Sequence, residues 1–156
     1  MNLASISENH NIEKRIAITP EIAKKYISLG FNLTLPINYG VHLGFDDENY
    51  KNLGVNLIDN ENEIIKSSEI VIQVGLPNEE KLSLFKENQT LIGSLNAFLN
   101  KEKLESLKSK KINCFSLELL PRITRAQSMD ILSSQANLAG IKLWLRLSKF
   151  MKKQFQ

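Results

Sequence analysis

Short apolar runs alternate with amphipathic stretches along nearly the whole chain, and this alternation restricts the fold more than any other feature of the sequence. The plainest run is Ile70-Val71-Ile72-Gln73-Val74, nearly continuous in β-branched residues, as befits a strand covered on both faces. Others are Leu3 to Ile6, Phe31 to Leu35, Val55 to Ile58, Leu91 to Leu95 and Ile112 to Leu117. Between them lie segments with helical spacing and helix punctuation. Thr19 reads as an N-cap, Pro20 as the first helical position and Gly30 as the stop of a helix over 20–29. Asp46 and Asp47 read as the cap of a short helix closed by Gly54. Further helices are predicted near 61–66, from Pro77 and Asn78 through Phe85, and over 101–110. Strand and helix in alternation predict an α/β fold: a mostly parallel sheet with helices on both faces, flavodoxin-like or Rossmann-like, with binding loops at the carboxyl ends of the strands.

The chain has 156 residues, enough for one domain with a real core. With 42% hydrophobic and 24% charged residues it reads as globular, not disordered. Its net charge of +3 comes from interleaved signs, which gives no nucleic-acid footprint. The single cysteine, Cys114, lies in an apolar run and is expected to be a buried strand residue. His10 and His42 stand alone in the sequence, so no metal site is expected. The first residues lack the basic region and apolar stretch of a signal peptide, and no apolar run reaches the ~20 residues that span a bilayer, so the expectation is cytoplasmic.

The densest polar stretch lies between the last apolar run and the longest helical one. It runs Pro121-Arg122-Ile123-Thr124-Arg125-Ala126-Gln127-Ser128-Met129-Asp130-Ile131-Leu132-Ser133, then Ser134-Gln135-Ala136-Asn137-Leu138-Ala139-Gly140. Two arginines, three amides, several hydroxyls and a carboxylate at this density describe a ligand-contacting loop. Ser128 is predicted to cap the following helix, with Asp130 in its first turn. Asp130, Ser133 and Asn137 then share one polar face. The helix is expected to run from Ser128 to about Phe155, dividing the chain into a 1–127 α/β domain and a 128–156 linking helix. Ala136, Ala139 and Gly140 leave room for another backbone. Leu143, Trp144, Leu145 and Leu147 imply burial against something beyond this domain.

That run closely resembles the signature loop of the NAD(H)-binding component of proton-translocating NAD(P) transhydrogenases, whose loop Arg, Gln, Asp and Ser side chains surround the nicotinamide. Glu13-Lys14-Arg15-Ile16-Ala17-Ile18-Thr19-Pro20 resembles the E-x-R-[VI]-A-x-[TS]-P motif of the N-terminal domain that alanine dehydrogenases share with these transhydrogenases. The resemblance implies Arg122, Gln127, Asp130 and Ser133 as NAD(H)-binding residues, with Gln127 and Asp130 serving the hydride step and Gln127 reaching toward the second nucleotide. It turns Arg15, otherwise a surface ion pair, toward the cleft. It also implies NADP(H) on a partner component, a membrane component through which the protein sits peripherally at the inner membrane, and a homodimer at full length. Alanine dehydrogenases need a lysine and a histidine to hold and protonate the keto acid; the matching positions here are Gln73 and Asn96, which disfavours that activity. A non-catalytic flavodoxin-like interaction module is the other alternative. The seven glycines, Gly30, Gly40, Gly44, Gly54, Gly75, Gly93 and Gly140, form no G-x-G, so the dinucleotide fingerprint is missing from these residues. In the family a Rossmann domain follows, so the sequence reads as an N-terminal fragment truncated before it, inactive alone and at best a weak NADH binder.

Overall fold

The computed structural model describes residues 1–121 and 123–154, with side chains through Ser148. They form two compact units, Met1–Ser116 and Leu117–Gln156. The division falls at 116/117, ahead of the 127/128 boundary drawn from the sequence, because the turns after the last strand pack with the terminal helix.

The first unit is a six-stranded, wholly parallel sheet. Its strands are β1 (Asn2–Ala4), β2 (Asn32–Pro36), β3 (Asn56–Ile58), β4 (Ile70–Ile72), β5 (Thr90–Gly93) and β6 (Asn113–Ser116). They lie in the order β3-β2-β1-β4-β5-β6. This is the doubly wound order of Rossmann-type sheets, which separates it from the flavodoxin order. The direction of winding reverses between β1 and β4, opening a crevice outside their carboxyl ends.

The helices are α1 (Pro20–Ser28), α2 (Asp47–Lys51), α3 (Glu61–Ser67), α4 (Glu79–Ser83) and α5 (Lys101–Ser109). Right-handed crossovers on either side of the reversal send α1 and α2 to one face and the later helices to the other. Two cores result. Leu3, Leu33 and Leu35 pack with Ala23 of α1 and Tyr50 of α2, joined by Ile70 and Ile72. Ala4, Val71 and Leu91 pack with Ile64, Leu82 and Leu107 of the other three helices. Strand β4 therefore gives alternate residues to each core, the physical meaning of its unbroken apolar run.

Local chemistry sets the element ends. Thr19 accepts a hydrogen bond from the Ile22 N–H with Pro20 at the first helical position, and Gly30 follows at φ +86°. Asn60 and Asn78 cap α3 and α4. Helix α4 is shorter than the sequence predicts, ending at Ser83. Asp46 occupies the N-cap geometry of α2 without a side-chain bond, whereas the Asp47 carboxylate accepts from the Asn38 N–H at 2.8 Å. Asp46 thus holds the expected cap position by backbone geometry alone, while Asp47 braces a neighbouring turn. Strands β1 and β4 stop short of Ile6 and Val74, because the Ile6 and Val74 N–H groups donate to side chains of Gln73 and Glu8 and leave the ladder.

Two expectations are corrected. Cys114 is exposed, since β6 is the sheet edge with a strand on one side only; partial burial still pushes its thiol up. His10 and His42 are not isolated: their rings stack at 4.0 Å, tying the loop after β1 to the Val41–Leu43 turn, and Lys14 O lies 2.8 Å from His42 Nε2.

The second unit holds two 3-10 turns, Leu117–Leu119 and Thr124–Met129, and the helix α6 (Ile131–Gln154). Its apolar side chains stand in solvent, Trp144 at 67% exposure, and a Cβ added at Gly140 would meet nothing within 4 Å. The close backbone neighbour anticipated at Ala136 and Gly140 is thus not found among the described residues.

Candidate functional site

Two clusters carry polar chemistry, one in each unit. In the second unit, Asp130 has extended backbone (φ −74°, ψ 91°) between the last 3-10 turn and α6. Its Oδ1 accepts from the N–H groups of Leu132 and Ser133, each at 3.0 Å, and its Oδ2 from the Ser133 hydroxyl at 2.6 Å. The N-cap of α6 is therefore Asp130 and not Ser128, which lies inside the 3-10 turn. A carboxylate at this position satisfies two orphan donors and faces the positive end of the helix dipole. Gln127 is exposed on the preceding turn, above Ala126, which is buried. Gln127, Asp130, Ser133 and Asn137 edge a concavity of about 320 Å³. Three of the four residues expected at the nicotinamide thus share one rim; the fourth, Arg122, lies outside the described residues.

In the first unit, the crevice at the winding reversal has a volume of about 610 Å³. Its walls come from the loops after β1, β4 and β5, including Glu8, Glu13, Gln73, Asn78, Lys81 and Asn96. Gln73 and Asn96, the positions matched to the lysine and histidine of alanine dehydrogenases, both line it. Neither carries a titratable proton, so neither can act as an acid or base there.

The loop after β1 is pinned from several sides. Glu8 Oε1 accepts from the N–H groups of Val74 at 2.7 Å and Gly75 at 3.3 Å. Burial raises the Glu8 carboxyl above its ordinary value against those two bonds. Lys81 Nζ sits 2.6 Å from Glu61 Oε2 and donates to Ser7 O at 3.2 Å, and Glu61 Oε1 accepts from the Ser7 N–H at 2.9 Å. Burial opposes ionisation of Glu61, but Lys81 and Ser7 outweigh it and hold the carboxyl below its ordinary value. Arg15 pairs with Glu13 at 2.7 Å, its side chain 53% exposed, outside the crevice lining.

Beneath the crevice lies a buried network that sequence reasoning missed. Tyr39 OH is 2.7 Å from Ser5 Oγ and accepts from the N–H groups of Ala17 at 3.1 Å and Ile18 at 3.3 Å. Ser5 Oγ donates to Gln73 Oε1 at 2.7 Å, and the Ile6 N–H donates to the same oxygen at 3.0 Å. Burial pushes the Tyr39 phenol up to about 12. The available signal was a polar residue inside each of two apolar strand runs, Ser5 and Gln73, since buried polar groups require partners.

Comparison with known proteins places this geometry in a lineage. The family model described as alanine dehydrogenase/PNT, N-terminal domain, matches residues 5–139. The first part of NAD(P) transhydrogenase subunit alpha from Rickettsia prowazekii is 33% identical over 159 residues, covering 99% of this chain and 42% of that protein. Alanine dehydrogenase 1 of Staphylococcus aureus is 27% identical over 140 residues, covering 90% of this chain and 36% of that protein. The solved structure of transhydrogenase from Sinorhizobium meliloti superposes with a TM-score of 0.81 at 32% identity, covering 88% of this chain and 41% of that one. The chain spans between about a quarter and two-fifths of the length of the relatives it matches. With that family model matching residues 5–139, the chain belongs to the alanine dehydrogenase/PNT N-terminal domain family.

Proposed function

We propose that this chain is the N-terminal portion of the NAD(H)-binding component of a proton-translocating NAD(P) transhydrogenase. The observation that carries the reading is the pairing of an exposed amide, Gln127, with a carboxylate-fixed hydroxyl, Ser133, on one polar rim, while the crevice positions 73 and 96 hold no acid or base. Hydride transfer between two nicotinamides needs placement and no proton relay, which suits such a set. Relatives carrying the transhydrogenase name align over nearly the whole chain at higher identity than the alanine dehydrogenases.

The donor set fits the nicotinamide end of the cofactor. A carboxamide offers one acceptor and two donor hydrogens, and the rim offers an amide and a hydroxyl within a concavity of about 320 Å³. The nicotinamide, when bound, supplies the hydride. Arg122 donates to the bound NAD(H). Ser133 is oriented by Asp130, which also starts α6, so Asp130 acts by positioning. Gln127 reaches toward the NADP(H) held by the partner component. The membrane-spanning component belongs to the same reading as a partner; no described helix is long and apolar enough to cross a membrane. Peripheral placement at the inner membrane and a homodimer of the full subunit belong to the same reading.

The test is Gln127→Asn in the full subunit reconstituted with its partner components. Shortening the amide by one methylene is expected to slow single-turnover hydride transfer up to ~100-fold, the scale of a 1 Å misplacement, with near-normal NADH affinity. Equal rates for variant and parent would remove Gln127 from the reaction. Reductive amination of pyruvate with NADH by the full subunit would replace the reading with alanine dehydrogenase.

A further inference from the structure

The orientation of Gln73 is forced by its surroundings. The side chain is 3% exposed, and its Oε1 receives both the Ser5 hydroxyl and the Ile6 N–H. Flipping the amide would set two donor hydrogens against the Ile6 N–H, leaving that buried group unpaired. The chain of donors is fixed in turn: the Ala17 and Ile18 N–H groups occupy the Tyr39 oxygen, so the phenol proton points to Ser5, whose own proton points to Gln73. Gln73 Nε2 makes no hydrogen bond among the described residues. No buried side-chain polar atom there lacks a partner, so Nε2 opens onto the crevice that Gln73 lines.

The backbone at this point is equally constrained. A Cβ at Gly93 would lie 2.6 Å from the Gln73 carbonyl oxygen, so only glycine on β5 lets the Gln73 backbone approach this closely.

We propose that Tyr39 and Ser5 are positioning residues that lock Gln73 as a hydrogen-bond donor, making the crevice a subsite for a neutral carbonyl group, a primary carboxamide, in preference to a 2-oxo carboxylate. The charges around it favour the neutral ligand. Lys81 is matched by Glu61, Lys103 by Glu79 and Glu13 by Arg15, whereas no cation lies at ion-pair distance from Glu8 among the described residues. A carboxylate entering here meets a second carboxylate, Glu8, held by two backbone N–H groups and by no direct ion pair among the described residues, and a donor without charge. A carbonyl oxygen meets a preset N–H.

The inference stands on the crevice alone, so failed hydride transfer would leave it intact and its own failure would leave hydride transfer untouched. The test is nuclear magnetic resonance of the ¹⁵N-labelled 156-residue chain, with the Gln73 amide pair assigned by its loss in Gln73→Glu. Nicotinamide and pyruvate are titrated separately at equal concentrations. Nicotinamide should shift the Gln73 pair, pyruvate should shift it far less, and Gln73→Glu should weaken nicotinamide binding about five- to tenfold, the worth of one hydrogen bond. Ser5→Ala keeps the ligand-contacting amide and frees its orientation, so it should broaden that pair and weaken nicotinamide a few-fold. It decides the matter if Gln73→Glu does not fold. Equal shifts from pyruvate, a Gln73 pair that nicotinamide leaves unmoved, or undiminished binding in the variant that folds would overturn the proposal.

Discussion

Replacing Tyr39 by Phe removes one oxygen and leaves the ring, which is 1% exposed and packed edge-on against Tyr50, in its place. No cavity forms, so the loss is read from hydrogen bonds. The hydroxyl accepts from the Ala17 and Ile18 N–H groups and donates to Ser5. The Ile18 N–H is buried and has nowhere to turn, which costs about 1–3 kcal/mol; with the weaker losses at Ala17 and Ser5 the sum is about 2–4 kcal/mol. Tyr50→Phe is the control, because its hydroxyl makes a single bond to Ile18 O at 3.0 Å and should cost about 1 kcal/mol. Urea denaturation should be followed by far-ultraviolet circular dichroism, since the only tryptophan, Trp144, lies in the second unit and reports on the wrong region of the chain. Alkaline titration gives a second reading. An acid whose folded pKa is raised binds its proton more tightly when folded, so stability is lost as pH rises above the ordinary tyrosine value toward about 12. Tyr39→Phe should flatten that decline relative to the parent. If Tyr39→Phe costs no more than Tyr50→Phe, or its alkaline decline is as steep as the parent's, the network is not what holds the loop.

Three further outcomes follow from the geometry. Asp130→Ala removes the cap of α6 and should cost about 1 kcal/mol with a loss of helical dichroism, while Asp130→Asn should spare the helix; equal helicity in all three proteins would contradict the capping role. Gly93→Ala forces a Cβ onto the Gln73 carbonyl, an overpacking worth about 1–3 kcal/mol, and should move the Gln73 amide resonances; an unchanged spectrum would show that the sheet gives way. Glu61 is held below its ordinary 4.5, so the stability it adds is complete above that pH and is lost as pH falls through its folded value. Glu8, raised by burial, acts in the opposite sense, so the comparison is with Glu61→Gln, which should be less stable near neutrality and lose less on acidification; parallel acid profiles would dismiss the Lys81–Glu61 clasp.

The sequence by itself determined the class of fold and most of its elements. Periodicity and caps are local properties, and so the helix of Pro20–Ser28 with its Thr19 cap and the two-sided burial of β4 were legible from neighbouring residues alone. The polar loop was legible for the same reason, as an unusual density of hydrogen-bonding side chains. Where caps competed within a few residues, local rules chose wrongly: Ser128 and Asp130 are both good caps, and the 3-10 turn over Thr124–Met129 decided for Asp130. Tertiary structure alone settled which strands are neighbours, because β1 and β4 are far apart in sequence and meet only through the crossover that reverses the winding. That meeting brings Ser5, Tyr39 and Gln73 within hydrogen-bond reach across sequence separations of 34 and 68 residues. The strand order likewise stacks His10, after β1, on His42, after the neighbouring β2, and leaves Cys114 of β6 on an uncovered edge. A pattern of residue types tells whether a side chain wants a partner; which partner it finds is fixed only when distant segments share the same space.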